Sequence, residues 1–518
     1  MHFTQGLHRA LQQQADNIAT ICDDRVRTFR ELHDRVSRLA AGFVRQGYKA
    51  GDRIAILAFN SDRYLEAYLA IAWMGAVVNP VNFRWSAAEI AYSLQDSGST
   101  AIIVDDNFVD TIKQVKEELP LLETIFYAGD LYANSGFVST ESLIAFNEPI
   151  EDRQAEGDDL FGIFYTGGTT GVSKGVMLTH TNICTGASAL LAEGLFKSGS
   201  KGLHAAPMFH LADMMMTTGM ILRGGQHVFV QAFNPEKVLG LIEDTKVTDL
   251  LLVPAMMQAL VDHPKCRTSN TSSVKNVMYG ASPASESLLD RAMIALPSAA
   301  FTQVYGMTET SAVMTILGHE AHLSENRGLG RMRSAGLAGT HIQVKIVDDN
   351  DHELPRNTVG QILSKGRSVM RGYINRDEAS SEALAGGWMH TGDMGYMDGS
   401  GYIYIVDRCK DMIISGGENV YSVEVENAVM RHDSVAACAV IGIPCDDMGE
   451  KVHVALVLRP GAELSFDDLR VHCKSLIAGY KCPKSMETMD ALPMSGAGKI
   501  LKTELRKPYW GAKERGVA

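Results

Sequence analysis

Residues 164–175 read Phe-Tyr-Thr-Gly-Gly-Thr-Thr-Gly-Val-Ser-Lys-Gly, with four glycines, three threonines, a serine and a lysine. Gly167, Gly168, Gly171 and Gly175 let the backbone turn sharply and approach a ligand closely. Backbone N–H groups that converge in such a turn bind anions. Thr166, Thr169, Thr170 and Ser173 add hydroxyl donors, and Lys174 adds a positive charge. That set suits a polyphosphate; a plain surface loop of glycine and threonine is the blander reading of the same residues. Leu160–Tyr165 is apolar and reads as a buried strand, and residues 179–195 read as a helix with Thr179 or Thr181 as its cap. The expected order is therefore strand, glycine loop, helix. It is not a Walker loop, because Lys174 is followed by Gly175 and not by a metal-binding hydroxyl. The run 328–333 (GLGRMR) lacks the third glycine of a dinucleotide fingerprint.

The elements that must position this loop follow from the rest of the chain. At 518 residues it is too long for one ordinary domain, and 46% hydrophobic with 21% charged residues fits a globular protein. The net charge of −13 argues against nucleic acid or an anionic membrane as the main partner. The 8 cysteines form no CxxC, which predicts buried, reduced thiols and a cytoplasmic location. The first residues have no apolar h-region, and the apolar stretch around Leu250–Val261 is broken by Pro254 and too short to span a bilayer. No stable membrane insertion is expected. His319 and His322 are too close together for a zinc-binding HExxH pair, and no other His/Cys cluster stands out, so the sequence predicts no zinc site.

Residues 249–305 alternate in period. Asp249–Val253, Lys275–Tyr279 and Ala300–Tyr305 read as strands, with helices over Pro254–Asp262 and Ser282–Leu296 between them. This βαβαβ pattern implies a parallel sheet covered by helices, with ligands beyond the carboxyl ends of the strands. The loops 166–175, 280–283 and 306–310 each follow a strand. From about residue 340 the pattern changes. Ile342–Asp348 and Tyr402–Val406 read as strands separated by a turn-rich stretch (386–401), and a charged junction, Asp407–Asp411, precedes a small α+β domain over 412–518. The fold class is α/β, with a large N-terminal domain of parallel-rich sheets (1–408) and a small mobile α+β C-terminal domain (409–518), the boundary falling within the junction.

Seven motifs stand in order along the chain: YTGGTTGVSKGVMLTH (165–180), PMFH (207–210), YGAS (279–282), QVYGMTET (303–310), TGD (391–393), DRCKDMIISGGENVYSVEVE (407–426) and GAGKILKTELR (496–506). Together they resemble the acyl-adenylate-forming superfamily of acyl-CoA synthetases, firefly luciferases and nonribosomal peptide adenylation domains. The resemblance covers nearly the whole chain. It implies that ATP converts a small-molecule carboxylic acid to an acyl-adenylate with loss of pyrophosphate, and that a thiol, usually that of CoA, then displaces AMP. Mg²⁺ and positive side chains would offset the repulsion between the carboxylate and the triphosphate.

By that resemblance, 166–175 holds the β- and γ-phosphates, and Thr308 and Glu309 meet the α-phosphate and Mg²⁺. Tyr305 and Gly280, Ala281 and Ser282 flank the adenine, and Asp393 and Arg408 bind the ribose. Lys499 bridges the acyl carboxylate and the α-phosphate, Lys410 is the hinge, and Gly416 and Gly417 line the thiol path. His210 borders the acyl pocket and joins the catalytic set, with Leu211, Met214, Met216, Gly306 and Met307 as pocket residues. Amino-acid-activating relatives generally place an Asp where His210 stands, which disfavours an amino acid substrate. Soft methionines suit a medium- or long-chain fatty acid; an aryl acid of the benzoate or cinnamate type, or loading of a carrier-protein thiol, is the alternative. A phosphate-transferring kinase is disfavoured by the missing Walker pair, and a dead nucleotide-binding protein by the presence of Lys499, Glu309 and Asp393. A monomer or homodimer is expected.

Overall fold

The computed structural model describes residues 1–131, 136–166, 173–415, 418–445, 447–494 and 500–510. The chain forms two compact units. One comprises Met1–Val344 and Ser364–Met389, and the other Lys345–Leu363 and His390–Ala518. The chain therefore passes between them at 344/345, 363/364 and 389/390.

The first unit contains two large sheets. In one, the strands Gln226–Phe229, Lys201–His204, Asp249–Leu252, Asn276–Gly280 and Ala300–Tyr305 lie side by side and all parallel. This is the βαβαβ run expected from the sequence, its helices at Pro254–Asp262 and Glu286–Ala295. In the other, Arg53–Leu57, Val77–Pro80, Ala101–Val104 and Thr124–Tyr127 run parallel, and Leu160–Thr166 joins them beside Val77–Pro80. The largest buried cluster mixes side chains of both sheets with the helices Phe29–Arg45, Asp62–Trp73, His180–Ala192 and Leu211–Arg223. In Asp62–Trp73 every residue but Arg63 is buried, and its two buried acids, Asp62 and Glu66, are paired with Arg25, Arg27 and Arg35, as a helix enclosed between layers requires.

Two sequence readings are corrected. The phosphate-loop segment does not lead straight into a helix. Lys174–Thr179 is a strand antiparallel to Leu160–Thr166, and the helix begins only at His180, capped by Thr179. The apolar run Val176–Leu178 pairs across the loop before the helical period begins. The stretch 386–401, read as turns for its glycines, contains the nine-residue strand Met389–Met397. A register shift between Met394 and Gly395 and a left-handed Gly392 (φ 71°) keep the strand going where the composition suggests breaks.

The second unit has a five-stranded sheet built from Ile413–Ser415, Glu418–Val420, Val435–Cys445, Gly449–Leu458 and Ser485–Thr488. Helices Ser422–Val429 and Phe466–Lys474 share its core through Val425, Val429 and Leu469. Met389–Met397 and Ile403–Arg408 pair antiparallel. All 8 cysteines are free, and no helix among the described residues is long and apolar enough to cross a membrane.

Candidate active site

The parallel sheet of the first unit aims three loops the same way. Gly280 stands in register with Val304, so residues 281–282 and 305–306 leave neighbouring strands together. A Cβ on Gly280 would meet the Val304 carbonyl oxygen at 2.1 Å, so only glycine lets these strand ends close up. Ala281 follows with φ 66°, a conformation that L side chains rarely adopt. A Cβ on Gly306 would stand 2.4 Å from the Ala312 carbonyl oxygen, which fixes the tight return after Tyr305. Thr308 and Glu309 lie in the short helical turn that follows.

The PMFH loop leaves the neighbouring strand Lys201–His204. Asn60, buried, holds it from both sides. Its Nδ2 donates to the carbonyls of His204 (3.1 Å) and Ala206 (2.8 Å), and its Oδ1 accepts from the Met208 N–H (2.8 Å). Phe209 packs on His210 (4.2 Å between ring centroids) and edge-on to Phe83 (5.0 Å). His210 occupies the N-cap position of the helix Leu211–Arg223 without a side-chain capping bond. Leu211, Met214 and Met216 are buried there. The Met216 methyl packs toward Gly202 and Met220, into the sheet, whereas Met215 faces Gly186 beside Ser311. Met215 is thus the methionine turned toward the 306–311 loop, a position that spacing alone did not single out.

A fully buried chain of polar groups anchors this helix. Asp213 accepts from His204 Nδ1 (2.8 Å) and Thr217 Oγ1 (3.2 Å), and His204 Nε2 accepts from His227 Nδ1 (2.9 Å). Burial holds His227 well below the usual imidazole range, so it stays neutral. The helix is therefore tied to the two strands that carry His204 and His227.

The phosphate-loop lysine and the carboxylate expected to hold Mg²⁺ converge on one side chain, Tyr373. Its hydroxyl donates to Glu309 Oε1 at 2.8 Å, and Lys174 Nζ stands 4.9 Å from its ring centroid. Burial first, and the Glu309 charge second, push the Tyr373 phenol above its ordinary range, so it remains a donor. The edge strand Gly372–Tyr373 pairs with Val176 and Met177. The Met370 N–H donates to the Glu309 carbonyl (2.8 Å), Asn182 Nδ2 to those of Arg367 and Val369, and Ser311 Oγ to that of Ser368. Segment 367–374 thus stitches the 309–311 loop to the strand after the glycine loop. Sequence reasoning missed Tyr373 and Asn60, because the roles of both depend on partners far along the chain.

In the second unit, Asp393 and Arg408 are cross-strand neighbours, with Arg408 Nε 3.5 Å from Asp393 Oδ1. The Asp393 N–H is held by Thr391 Oγ1 at 3.1 Å. Lys410 lies between two anchored acids. Asp407 accepts from the N–H and hydroxyl of Ser422, and Asp411 pairs with Arg506 at 2.6 Å. Lys502 reaches Glu426 at 2.7 Å and serves this packing. Gly167, Gly168, Thr169, Thr170, Gly171, Gly416, Gly417 and Lys499 lie outside the described residues. His319 and His322 are structural. The Phe301 N–H donates to His319 Nδ1, His322 bonds Tyr279 Oη and the Gly318 carbonyl, and burial lowers His322 to about 4.

Three neighbouring strand-end loops, and a buried carboxylate joined through Tyr373 to Lys174, are the geometry of a ligand site at the carboxyl ends of a parallel sheet. Residues 7–374 match the family of AMP-binding enzymes, and residues 424–499 match the AMP-binding enzyme C-terminal domain. The chain belongs to this family and is an AMP-forming acid–thiol ligase. It is 38% identical to a feruloyl-CoA synthase of Amycolatopsis sp over 93% of this chain and 94% of that protein. It is 33% identical to the fatty acid–[acyl-carrier-protein] ligase ScoC of Streptomyces coeruleorubidus, over 98% and 96% of the two chains. The ATP-bound structure of MatB from Rhodopseudomonas palustris superimposes with a TM-score of 0.88 at 27% identity, covering 99% of this chain and 100% of that one.

Proposed function

We propose that the protein is an ATP-dependent acyl-CoA synthetase acting on an apolar carboxylic acid, a medium- or long-chain fatty acid, through an acyl-adenylate. The observation that carries the first half-reaction is the Lys174–Tyr373–Glu309 arrangement. It couples a cation of the phosphate loop to an oxygen-donor carboxylate of the kind Mg²⁺ takes. Glu309 is buried and its Oε1 accepts from the Tyr373 hydroxyl, an orienting contact of the kind that metal-ligating carboxylates have. Bound there, Mg²⁺ would supply charge neutralisation for the phosphates.

In this reading Thr166 and Lys174 hold the β- and γ-phosphates with Gly167, Gly168, Thr169, Thr170 and Gly171. Tyr305 and Gly280–Ser282 hold the adenine, Thr308 the α-phosphate, and Asp393 with Arg408 the ribose. Lys499 neutralises the carboxylate as it attacks the α-phosphorus; the C–O–P linkage forms, the α–β phosphoanhydride breaks, and pyrophosphate leaves. The domain 409–518 then turns at Lys410, and Gly416 and Gly417 make way for the CoA thiol. The thiolate sulfur bonds to the acyl carbon and AMP leaves.

His210 and Phe209 border the acyl pocket, whose wall continues through Leu211, Met214, Gly306 and Met307; Met216, expected there from the sequence, packs into the sheet against Gly202, and Met215 takes its place. The soft side chains at 214–216 and the likeness to ScoC support an aliphatic acid. The higher identity to a feruloyl-CoA synthase supports an aryl acid as the second reading. The test is product identification with acetate, octanoate, palmitate, benzoate and a cinnamate, each with ATP, Mg²⁺ and CoA. Octanoyl- or palmitoyl-CoA with AMP is expected. Preference for the cinnamate replaces the aliphatic reading with the aryl one. AMP without thioester moves the acceptor to a carrier-protein thiol, and ADP overturns the proposal.

A further inference from the structure

We infer that His2, His8 and Asp152 form a binding site for a late first-row divalent cation, Zn²⁺ foremost, outside the nucleotide site. One ring nitrogen from each histidine and one Asp152 carboxylate oxygen lie within 4.8 Å of one another. Ligand atoms around a tetrahedral Zn²⁺ stand about 3.4 Å apart at bonds of about 2.1 Å, so small rotamer changes close the set onto an ion. Two imidazoles and a carboxylate suit Zn²⁺, with a water in the fourth position; the nitrogen donors disfavour Mg²⁺ and Ca²⁺.

Two independent observations point to a ligand. The first is His2 Nε2, which is buried from solvent and has no hydrogen-bond partner among the described residues. A buried imidazole nitrogen in that condition costs stability unless something binds it. The second is the preparation of Asp152, whose side chain is 1% exposed. It accepts from Thr4 Oγ1 at 2.5 Å and from the Gln154 N–H at 2.8 Å, and His8 Nε2 stands 2.7 Å from it; the proton between the two is released to solvent when an ion takes its place. The Arg153 N–H is bound to the Trp73 carbonyl, which fixes the backbone beside it. The His8 ring is held 4.8 Å from Trp73 and 5.3 Å from His33. Ligands oriented by such neighbours are what metal sites require.

The sequence predicted no zinc site because the third ligand comes from residue 152, beyond the reach of local spacing. A bound ion would fasten the start of the helix Gln5–Gln14 to the segment that leads into the strand Leu160–Thr166.

The experiment is equilibrium dialysis of the untagged, chelator-stripped full chain against Zn²⁺, with Co²⁺ as a spectroscopic probe. Wild type should take up one Zn²⁺ per chain. Co²⁺ should show visible d–d bands without thiolate charge transfer, since the ligands are nitrogen and oxygen. His2→Ala deletes no hydrogen bond and should fold normally, yet bind Zn²⁺ on the order of 100-fold more weakly. His8→Ala should weaken it similarly. No uptake by wild type, a thiolate band, or unchanged affinity in both variants would overturn the inference.

Discussion

Tyr373 is the residue on which the site's electrostatics turn, since it meets Glu309 with its hydroxyl and Lys174 with its ring. Tyr373→Phe keeps the ring and deletes one hydrogen bond to a charged group, worth about 1.5–3 kcal/mol. The expected result is a roughly 10- to 100-fold loss in adenylation rate with a raised Mg²⁺ requirement. A Mg²⁺ titration of pyrophosphate exchange measures both. If the rate falls while the Mg²⁺ dependence is unmoved, Tyr373 does not position Glu309. Lys499→Ala should lower acyl-adenylate formation by about 10²–10³-fold, yet still convert supplied adenylate and CoA to thioester. Equal loss in both half-reactions would remove Lys499 from its assigned role.

At the level of elements, the segment 407–411 combines a proposed pivot with two fixed acids. Lys410→Pro should restrict φ at the pivot, sparing adenylation while slowing thioester formation; normal turnover would place the pivot elsewhere. Burial raises Asp407 from 3.8 to about 6, against the opposing pull of Lys502 and Ser422. The folded state therefore holds this proton more tightly than the unfolded one. That contribution is complete below about pH 4 and lost as pH rises through 6. Asp407→Asn should remove it, changing the stability difference from wild type by on the order of 2 kcal/mol between pH 4 and 6, as thermal melts across that window would show. Much at this scale was legible. The 249–305 alternation gave strands and helices close to their observed bounds, because apolar period and turn chemistry agree there. The strand Lys174–Thr179 was hidden because a strand that returns across a glycine loop has no local marker. Tyr373 was hidden for the same reason, its partners being residues 174 and 309.

For the whole molecule, the core of the five-stranded sheet and its satellite cluster draw, among the described residues, on Ile413 and residues after it. A fragment spanning 409–518 should therefore fold alone, with a single cooperative urea transition followed by circular dichroism; a broad, featureless transition would mean that it depends on the rest of the chain. The first unit has no such independence along the chain. Its edge strand Gly372–Tyr373, and with it the donor to Glu309, arrives only after Lys345–Leu363 has been made for the other unit. During synthesis, a nascent chain released up to residue 363 has both large sheets nearly complete but cannot yet orient Glu309. The ribosome must deliver part of the second unit before the first can finish its own chemistry, so the emerging enzyme stays inactive until both units are under construction.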